Sequence, residues 1–108
     1  MPNLNKVLVM GIVGRDPDIK TFDNGNSIAL MSVATSEHWK DKNTGERKER
    51  TEWIRILVQG GLFNTVKLYV KKGTKLYIEG SWNTRKYTDK NGIDREITEV
   101  KAKSIQLL

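Results

Sequence analysis

Two tryptophans flank a run of charged residues in the first half of the chain, and no other pattern in the sequence indicates chemistry so strongly. Trp39 and Trp53 stand at the ends of this run, which contains Lys42 and Lys48. An exposed indole can stack on an unpaired base, which contributes about 1 to 3 kcal/mol per base, while lysine and arginine neutralise the adjacent phosphates. The pattern therefore predicts contact with single-stranded nucleic acid.

The tryptophans also have a structural interpretation, because indoles pack well between strands. Trp53 shares its predicted strand face with Arg55, opposite an aliphatic row, so we expect its ring to point away from the core. Trp82 instead shares its face with Leu76 and Ile78. We therefore assign Trp82 to packing.

The charge balance favours a polyanionic partner. Lysine and arginine number 19 against 13 acidic residues, which gives a formal net charge of +6. Solubility alone also explains such an excess. The run between the tryptophans includes Asp41, Glu46 and Glu49, which weakens the electrostatic argument for this segment taken alone.

Residues suited to catalysis or metal binding are few. The chain has no cysteine, and His38 is its one histidine, so thiolate sites, histidine pairs and the usual zinc spacings are absent. Asp16, Asp18 and Asp23 lie in predicted turns and suit turn chemistry better than a metal site. We predict a non-catalytic protein without cofactor or metal, with His38 solvent-facing or a minor contact. A carboxylate-based metal nuclease is the enzymatic alternative.

These residues are positioned by a predicted all-β chain with one helix. Alternating or β-branched segments predict strands at residues 5–13, 27–39, 51–59, 75–88 and 95–107. A short edge strand is expected at 19–22, a basic connection at 40–50, and a helix at about residues 62–72 that ends in lysines and Gly73.

Long strands interrupted by glycines, with a single helix, indicate a five-stranded Greek-key barrel of the oligonucleotide-binding (OB) type with long β-hairpin loops. A length of 108 residues suits one such domain, spanning the whole sequence. The apolar stretch within residues 1–14 is too short and too rich in glycine for a signal peptide or a membrane span. We therefore expect a soluble protein, and the lack of cysteine fits an intracellular setting.

Four segments resemble the bacterial-type single-stranded DNA-binding protein family. They read LNKVLVMGIVGRDPDIK, VATSEHWKDKNTGERKERTEWIR, YVKKGTKLYIEG and TRKYTDKNGIDREITE, in the family's order and over nearly the whole chain. The resemblance implies an OB-fold homotetramer, a dimer of dimers, that binds single-stranded DNA without sequence preference in replication, recombination and repair. It places the protein in the bacterial cytoplasm at the nucleoid, or on a phage or plasmid. The alternatives are a primosomal or phage-type accessory dimer that hands DNA to partners, and an RNA chaperone.

The resemblance also implies roles for individual residues. Trp39 and Trp53 stand at base-stacking positions, and Tyr87 stands where a third aromatic ring is common. The expected phosphate contacts are Arg55, Lys72, Arg85, Lys86, Lys42 and Lys48, with Arg15 and Lys20 as weaker candidates. Gln59 replaces a stacking phenylalanine of the best-known members and Gly61 a nearby lysine, so Gln59 is an uncertain contact and this strand is expected to bind DNA less tightly.

For assembly, the resemblance indicates that the first strand pairs with its counterpart and that a second face joins the dimers. The interface candidates are Lys6, Val7, Leu8, Val9, Ile54, Tyr77 and Glu79. An apolar edge strand of this kind is an aggregation hazard unless another chain covers it, although a barrel-closing strand in a monomer is the alternative. Lys6 and Glu79 are candidates for an ion pair across subunits, and Ile54 replaces a histidine frequent in the family.

The printed sequence ends in SIQLL, where the barrel is predicted to end. The family's usual tail, rich in Gly, Gln and Pro with an acidic tip, does not follow. Protein partners that bind this tail are therefore not expected for the sequence as printed.

Overall fold

The computed structural model describes residues 3–108, in which six strands and one helix are found. The elements are β1 (Val7–Val13), β2 (Asp18–Thr21), β3 (Ser27–Lys40), β4 (Arg47–Gln59), α1 (Leu62–Tyr69), β5 (Lys75–Thr88) and β6 (Asp94–Leu107). The sheet has the order β1-β5-β6-β4-β3-β2, and β1 also pairs with β3. That additional pairing closes five strands into a barrel, with β2 along the edge of β3, and confirms the predicted all-β OB-type fold.

The core is built from the residues that alternate inwards along the barrel strands. Its fully buried large side chains include Val13, Val33, Ile56, Val58, Val66, Leu76, Ile78 and Val100. β4 and β6 meet in parallel, with Ile56 opposite Val100. Helix α1 packs against β3, β4 and β6 and contributes Val66. The strand pattern read from the sequence therefore corresponds to the observed interior.

The β3–β4 hairpin is longer than predicted. Its strands stay paired out to Lys40 and Arg47, so the connection expected at 40–50 is a turn of residues 41–46. The extra residues, Lys40 and 47–50, carry no apolar alternation, because they lie past the core. The hydroxyls of Ser36 and Thr51, 2.9 Å apart, join the two strands just before this extension. Lys48 therefore lies on a strand, and the prediction that placed it in a connecting loop at 40–50 was wrong.

Helix α1 is shorter than predicted. It ends at Tyr69, because Val70 already has extended backbone angles, φ −101° and ψ 129°. The following turn has Gly73 at φ +91°, and its N–H donates to the carbonyl of Val13 at 2.8 Å, which returns the chain to the barrel. Within residues 3–108, no helix has the length and apolar character needed to cross a membrane.

The assignment of Trp82 to core packing was wrong, since 54% of this residue is exposed. Trp82 does share strand parity with Leu76 and Ile78, and it stands opposite the buried Val100. However, β1 pairs with β5 only as far as Gly80. Beyond that residue β5 leaves the closed part of the barrel, so a side chain on the inward side of the strand is no longer buried.

Candidate nucleic-acid interface

One side of β4 presents the residues expected to contact nucleic acid. Trp53, Arg55 and Gln59 alternate outwards along this outer β4 face, whereas Ile56 and Val58 point into the core. The residues of β3 opposite Trp53 and Arg55 are Ala34 and Ser32, whose small side chains leave the ring and the guanidinium uncovered. The predicted outward orientation of Trp53 is therefore confirmed.

Trp53 is held in place by Gly14, which directly follows the end of β1. A Cβ atom added to Gly14 would lie 2.2 Å from the ring carbon Cζ3 of Trp53, so the indole rests directly on the Gly14 backbone. The residue as a whole is nevertheless 61% exposed. One edge of the indole is thus fixed by packing while a large part remains open to a stacking partner.

A buried glutamate joins two arginines next to this ring. Glu99 of β6 is fully buried, and its Oε1 accepts a hydrogen bond of 2.6 Å from Nε of Arg85. Nε of Arg55 lies 3.6 Å from Oε2, which has no hydrogen-bond partner within residues 3–108. Since burial of a carboxylate is costly unless the charge is paired, this arrangement fixes both guanidinium groups. Both remain partly exposed, with further N–H donors available for phosphate.

Trp53 and Arg55 line a cleft of about 270 Å³, the Trp53 cleft, together with two further cations. Its charged members are Arg15, Asp18, Lys20 and Arg55. Arg15 and Lys20, the weaker sequence candidates, are thus brought beside the indole. Three cations against one carboxylate give the cleft an excess of positive charge, as a phosphate backbone requires.

The β5–β6 hairpin extends this surface towards Tyr87. Arg85 and Tyr87 alternate on the side of β5 that faces Glu99, and about 7 Å separates them along the strand. Tyr87 is 44% exposed and lines a depression at the hairpin tip with Arg95 and Lys86. Lys86 belongs to the other side of the strand, where its Nζ lies 3.9 Å from Glu96. Arg85 and Lys86 therefore do not act from one face.

The turn of this hairpin is fixed by Asp89. The guanidinium of Arg95 donates from Nε to Oδ2 at 2.9 Å, and the N–H groups of Asn91 and Ile93 donate to Oδ1. These bonds, that from Arg95 above all, hold the pKa of Asp89 below its usual value. The ionised carboxylate thus stabilises the tip that carries Tyr87.

Trp39 lies apart from Trp53. Trp53 is opposite Ala34, and Trp39 is five residues further along β3, about 17 Å away and on the other side of the ladder. Trp39 is 47% exposed and lines a pocket with His38, Lys40 and Arg47. Arg47 was not among the predicted contacts, although its place opposite Lys40 brings two cations to the ring.

The remaining candidates are more scattered. Lys42 is exposed in the 41–46 turn, and Lys48 stands opposite Trp39, with its Nζ 3.7 Å from Glu46. The N–H of Lys72 donates to Oδ1 of Asp16 at 2.9 Å, which places this residue beside the turn that carries Arg15. Within the described residues, His, Cys, Asp and Glu side chains form no group of three or more suited to a metal ion.

The candidate assembly surface consists of β1 and the neighbouring part of β5. Leu8 and Met10 are exposed and stand opposite Glu79 and Tyr77. The hydroxyl of Tyr77 donates to Oε1 of Glu79 at 2.9 Å, and this bond to a carboxylate raises the pKa of Tyr77. Nζ of Lys6 approaches Oε2 of Glu79 within the same chain, at 4.0 Å, so this candidate ion pair needs no second subunit.

Three interface candidates have side chains that pack inside the barrel. Val9 is buried in the core, and Val7 and Ile54 pack against it. The side chains of β1 that point outwards are instead those of Leu8, Met10 and Ile12, which are all exposed. An interface on this strand would use those side chains together with the backbone edge.

Comparison with known proteins gives consistent matches. Residues 4–108 match the Single-strand binding protein family. The single-stranded DNA-binding proteins of Rickettsia felis and Rickettsia typhi are each 54% identical over 99 residues, which cover 91% of this chain and 65% of each relative. The chain thus spans slightly less than two thirds of the length of these relatives.

Solved structures agree with this result. The structure described as Plasmodium falciparum SSB complex with ssDNA has a TM-score of 0.83 and 36% identity, and the match covers 100% of this chain and 97% of that one. A deletion mutant of the single-stranded DNA binding protein from Thermus aquaticus has a TM-score of 0.79 at 24% identity, over 97% of this chain and 50% of that one, and indicates the fold alone. From the family match over residues 4–108, the chain belongs to the single-strand binding protein family.

Proposed function

We propose that this chain binds single-stranded DNA without sequence preference, as a non-catalytic protein of replication, recombination and repair. The observation that carries the proposal is the Trp53 cleft, where an indole held on Gly14 lies beside Arg15, Lys20 and Arg55. Stacking on a ring suits any base, because every base has a π face, and the cations contact the phosphates that all sequences share. The relative whose structure is described as a complex with ssDNA supports the same function.

In this proposal the binding path continues from the Trp53 cleft along Arg55 and Arg85 to Tyr87. Glu99 orders the two arginines in the middle of the path. Trp39 lies on the other side of the β3–β4 ladder, so DNA that contacts both tryptophans has to bend around the hairpin. Such wrapping suits a flexible single strand and excludes a stiff duplex.

The test is a titration of intrinsic tryptophan fluorescence with oligo-dT, with duplex DNA and oligo-rU as competitors. We expect strong quenching that duplex does not reverse, reduced in Trp53→Phe and retained in Trp82→Phe. Quenching that duplex competes away, or that depends on Trp82 instead of Trp53, would contradict the proposal. Preferential competition by RNA would favour the RNA chaperone.

We further propose that the chain assembles as a homotetramer at the bacterial nucleoid, or on phage or plasmid DNA. The support is the row of exposed apolar side chains on β1, together with the backbone edge of that strand. Within residues 3–108, β1 pairs with β3 only at Ile12 and Val13, which leaves the edge from Val7 to Met10 open. Uncovered edges of this kind pair readily with another chain.

The mass in solution, measured by sedimentation equilibrium, tests the assembly. Four copies are expected for the wild type and a smaller species for Met10→Glu, because a charge would be placed on the apolar row. Leu68→Glu, on the exposed side of α1, is the matched control and should leave the mass unchanged. A dimeric wild type would favour the accessory-protein alternative.

A further inference from the structure

A second concave surface lies beyond the Trp53 cleft, between the β2–β3 turn and the start of α1. This aromatic groove has a volume of about 690 Å³ and is lined by Phe22, Asn26, Ile28, Gln59, Phe63 and Asn64, among others. Phe22 is 49% exposed, whereas Phe63 packs against the core. None of its lining residues is charged. The groove therefore offers aromatic rings and amides to a flat, uncharged group.

Both rings are attached to fixed backbone. The N–H of Phe22 donates to the carbonyl of Asn26 at 2.8 Å, and the carbonyl of Phe22 accepts from Gly25 at 2.9 Å, which closes the β2–β3 turn. The N–H of Phe63 donates to the carbonyl of Gly60 at 3.1 Å in the first turn of α1. The backbone that carries each ring is therefore ordered before a ligand binds, which lowers the entropy cost of binding.

The groove is continuous with the Trp53 cleft on the same side of the sheet. Lys20, Ile28 and Gln59 form one cross-strand row through β2, β3 and β4. Lys20 lines the Trp53 cleft, and Phe22 follows two residues later, just past the end of β2 and about 7 Å away. A strand that leaves the Trp53 cleft past Lys20 therefore reaches the groove directly.

We propose that the aromatic groove binds an unpaired base of the same DNA strand that occupies the Trp53 cleft. The base stacks on the ring of Phe22 and is bounded by Phe63, and Gln59 and the two asparagines supply donors and acceptors to its edge. Lys20 neutralises the phosphate between the two sites. This inference rests on the proposed single-stranded DNA binding and adds a base site to it.

The test compares oligo-dT affinities of Phe22 variants by fluorescence anisotropy of labelled DNA. Phe22→Leu keeps apolar volume but removes the π face, and we expect about fivefold weaker binding, the lower end of the range for one base–aromatic stack. Phe22→Trp should bind at least as tightly as the wild type and show additional tryptophan quenching. Leu68→Ala, an exposed apolar residue of α1, is the matched control and should bind normally.

The outcomes separate this site from the proposed function. If Phe22→Leu binds like the wild type while Trp53→Ala binds weakly, the groove site is refuted and the proposed function stands. If the wild type does not bind oligo-dT, both proposals fail. Weaker binding by Phe22→Leu with unchanged thermal stability, together with quenching of the new indole in Phe22→Trp, establishes the groove as a base site.

Discussion

Gly14→Ala tests whether the position of a single indole controls DNA affinity. A Cβ at this position would lie 2.2 Å from Cζ3 and 2.8 Å from Cη2 of Trp53. Since carbon atoms in contact are about 3.5 to 4.0 Å apart, the ring has to move by about 1 to 2 Å. Trp53 is on the surface and can move towards solvent. The substitution therefore moves the ring away from the Gly14 backbone without disrupting the barrel core.

The expected magnitudes differ for binding and folding. Loss of one base stack weakens the affinity by about 1 to 3 kcal/mol, or about 5- to 150-fold in Kd. Gly14 is not among the glycines with positive φ, so alanine fits its backbone. Alanine also stabilises by about 0.4 to 1 kcal/mol through the unfolded chain, which offsets the packing lost by the indole. We expect the free energy of unfolding to change by less than about 1 kcal/mol.

The assay pairs oligo-dT anisotropy with urea unfolding and the tryptophan emission spectrum. Gly61→Ala is the matched control, because no atom lies within 4 Å of a Cβ at that position. We expect Gly14→Ala to shift the emission to longer wavelength and to weaken DNA binding, and Gly61→Ala to do neither. A shifted spectrum with wild-type affinity would show that the position of Trp53 does not determine binding.

Three further outcomes are expected. Arg55→Gln and Arg85→Gln should each reduce, by about 0.7, the slope of log affinity for oligo-dT against log salt concentration, whereas Lys67→Gln on α1 should leave this slope unchanged. An unchanged slope for either arginine variant would show that this arginine does not contact the DNA. Glu99→Gln should lower the free energy of unfolding in urea by about 1 to 3 kcal/mol, because the buried charge that pairs with two guanidinium groups is lost and an amide NH2 replaces one of its two acceptor oxygens. A loss no larger than that of the exposed Glu96→Gln would contradict this role. The pKa of Asp89 is lowered in the folded protein, chiefly by Arg95, so its carboxylate stabilises the turn fully above the pKa of the unfolded chain and loses this effect as the pH falls through the folded pKa. NMR should show the Asp89 carboxyl titrating at a lower pH than the same carboxyl in an unfolded peptide of this sequence. Equal pKa values would refute the assignment.

The sequence predicts structure well where one side of a strand packs in the core. The alternation from 51 to 59 correctly places Trp53 and Arg55 outside, because β4 there faces the buried Val33 and Val100 from neighbouring strands. The OB-type barrel follows from several such strands. The same rule fails for Trp82, since its strand has passed the end of β1 and inward parity faces solvent.

Strand ends beyond the core are harder to predict. Residues 47–50 read RKER, with no apolar side chain, and yet they form regular strand opposite β3. Their pairing depends on the backbone ladder, which continues without a break from the Ser36–Thr51 hydroxyl pair, whereas the 2.7 Å ion pair of Arg50 and Glu52 lies along β4 itself. Polar residues in such a two-stranded ribbon show no alternation of apolar and polar side chains, so the sequence pattern predicts a loop for them.

The contacts that hold the site together cannot be predicted from local sequence patterns, because they join distant parts of the chain. Gly14 meets Trp53, and Glu99 meets Arg55 and Arg85, only after the barrel has closed. Because side chains alternate along β6 and Val100 points into the core, Glu99 is expected on the outside of the barrel. It is nevertheless fully buried, by the arginines around it. Its identification requires the register between β5 and β6, which an irregularity between Glu79 and Gly80 shifts.

A carboxylate in the middle of the proposed DNA-binding face repels phosphate by its charge, but its geometry resolves the conflict. Both arginines approach Glu99 through Nε, the nitrogen nearest the side-chain stem, so their terminal nitrogens remain available to a ligand. The carboxylate itself is shielded from solvent. It therefore offsets part of the positive charge while it removes the freedom that two long side chains would otherwise lose when DNA binds, about 0.5 to 1.5 kcal/mol each. A face built in this way gives up some long-range attraction and gains cations that are already in place.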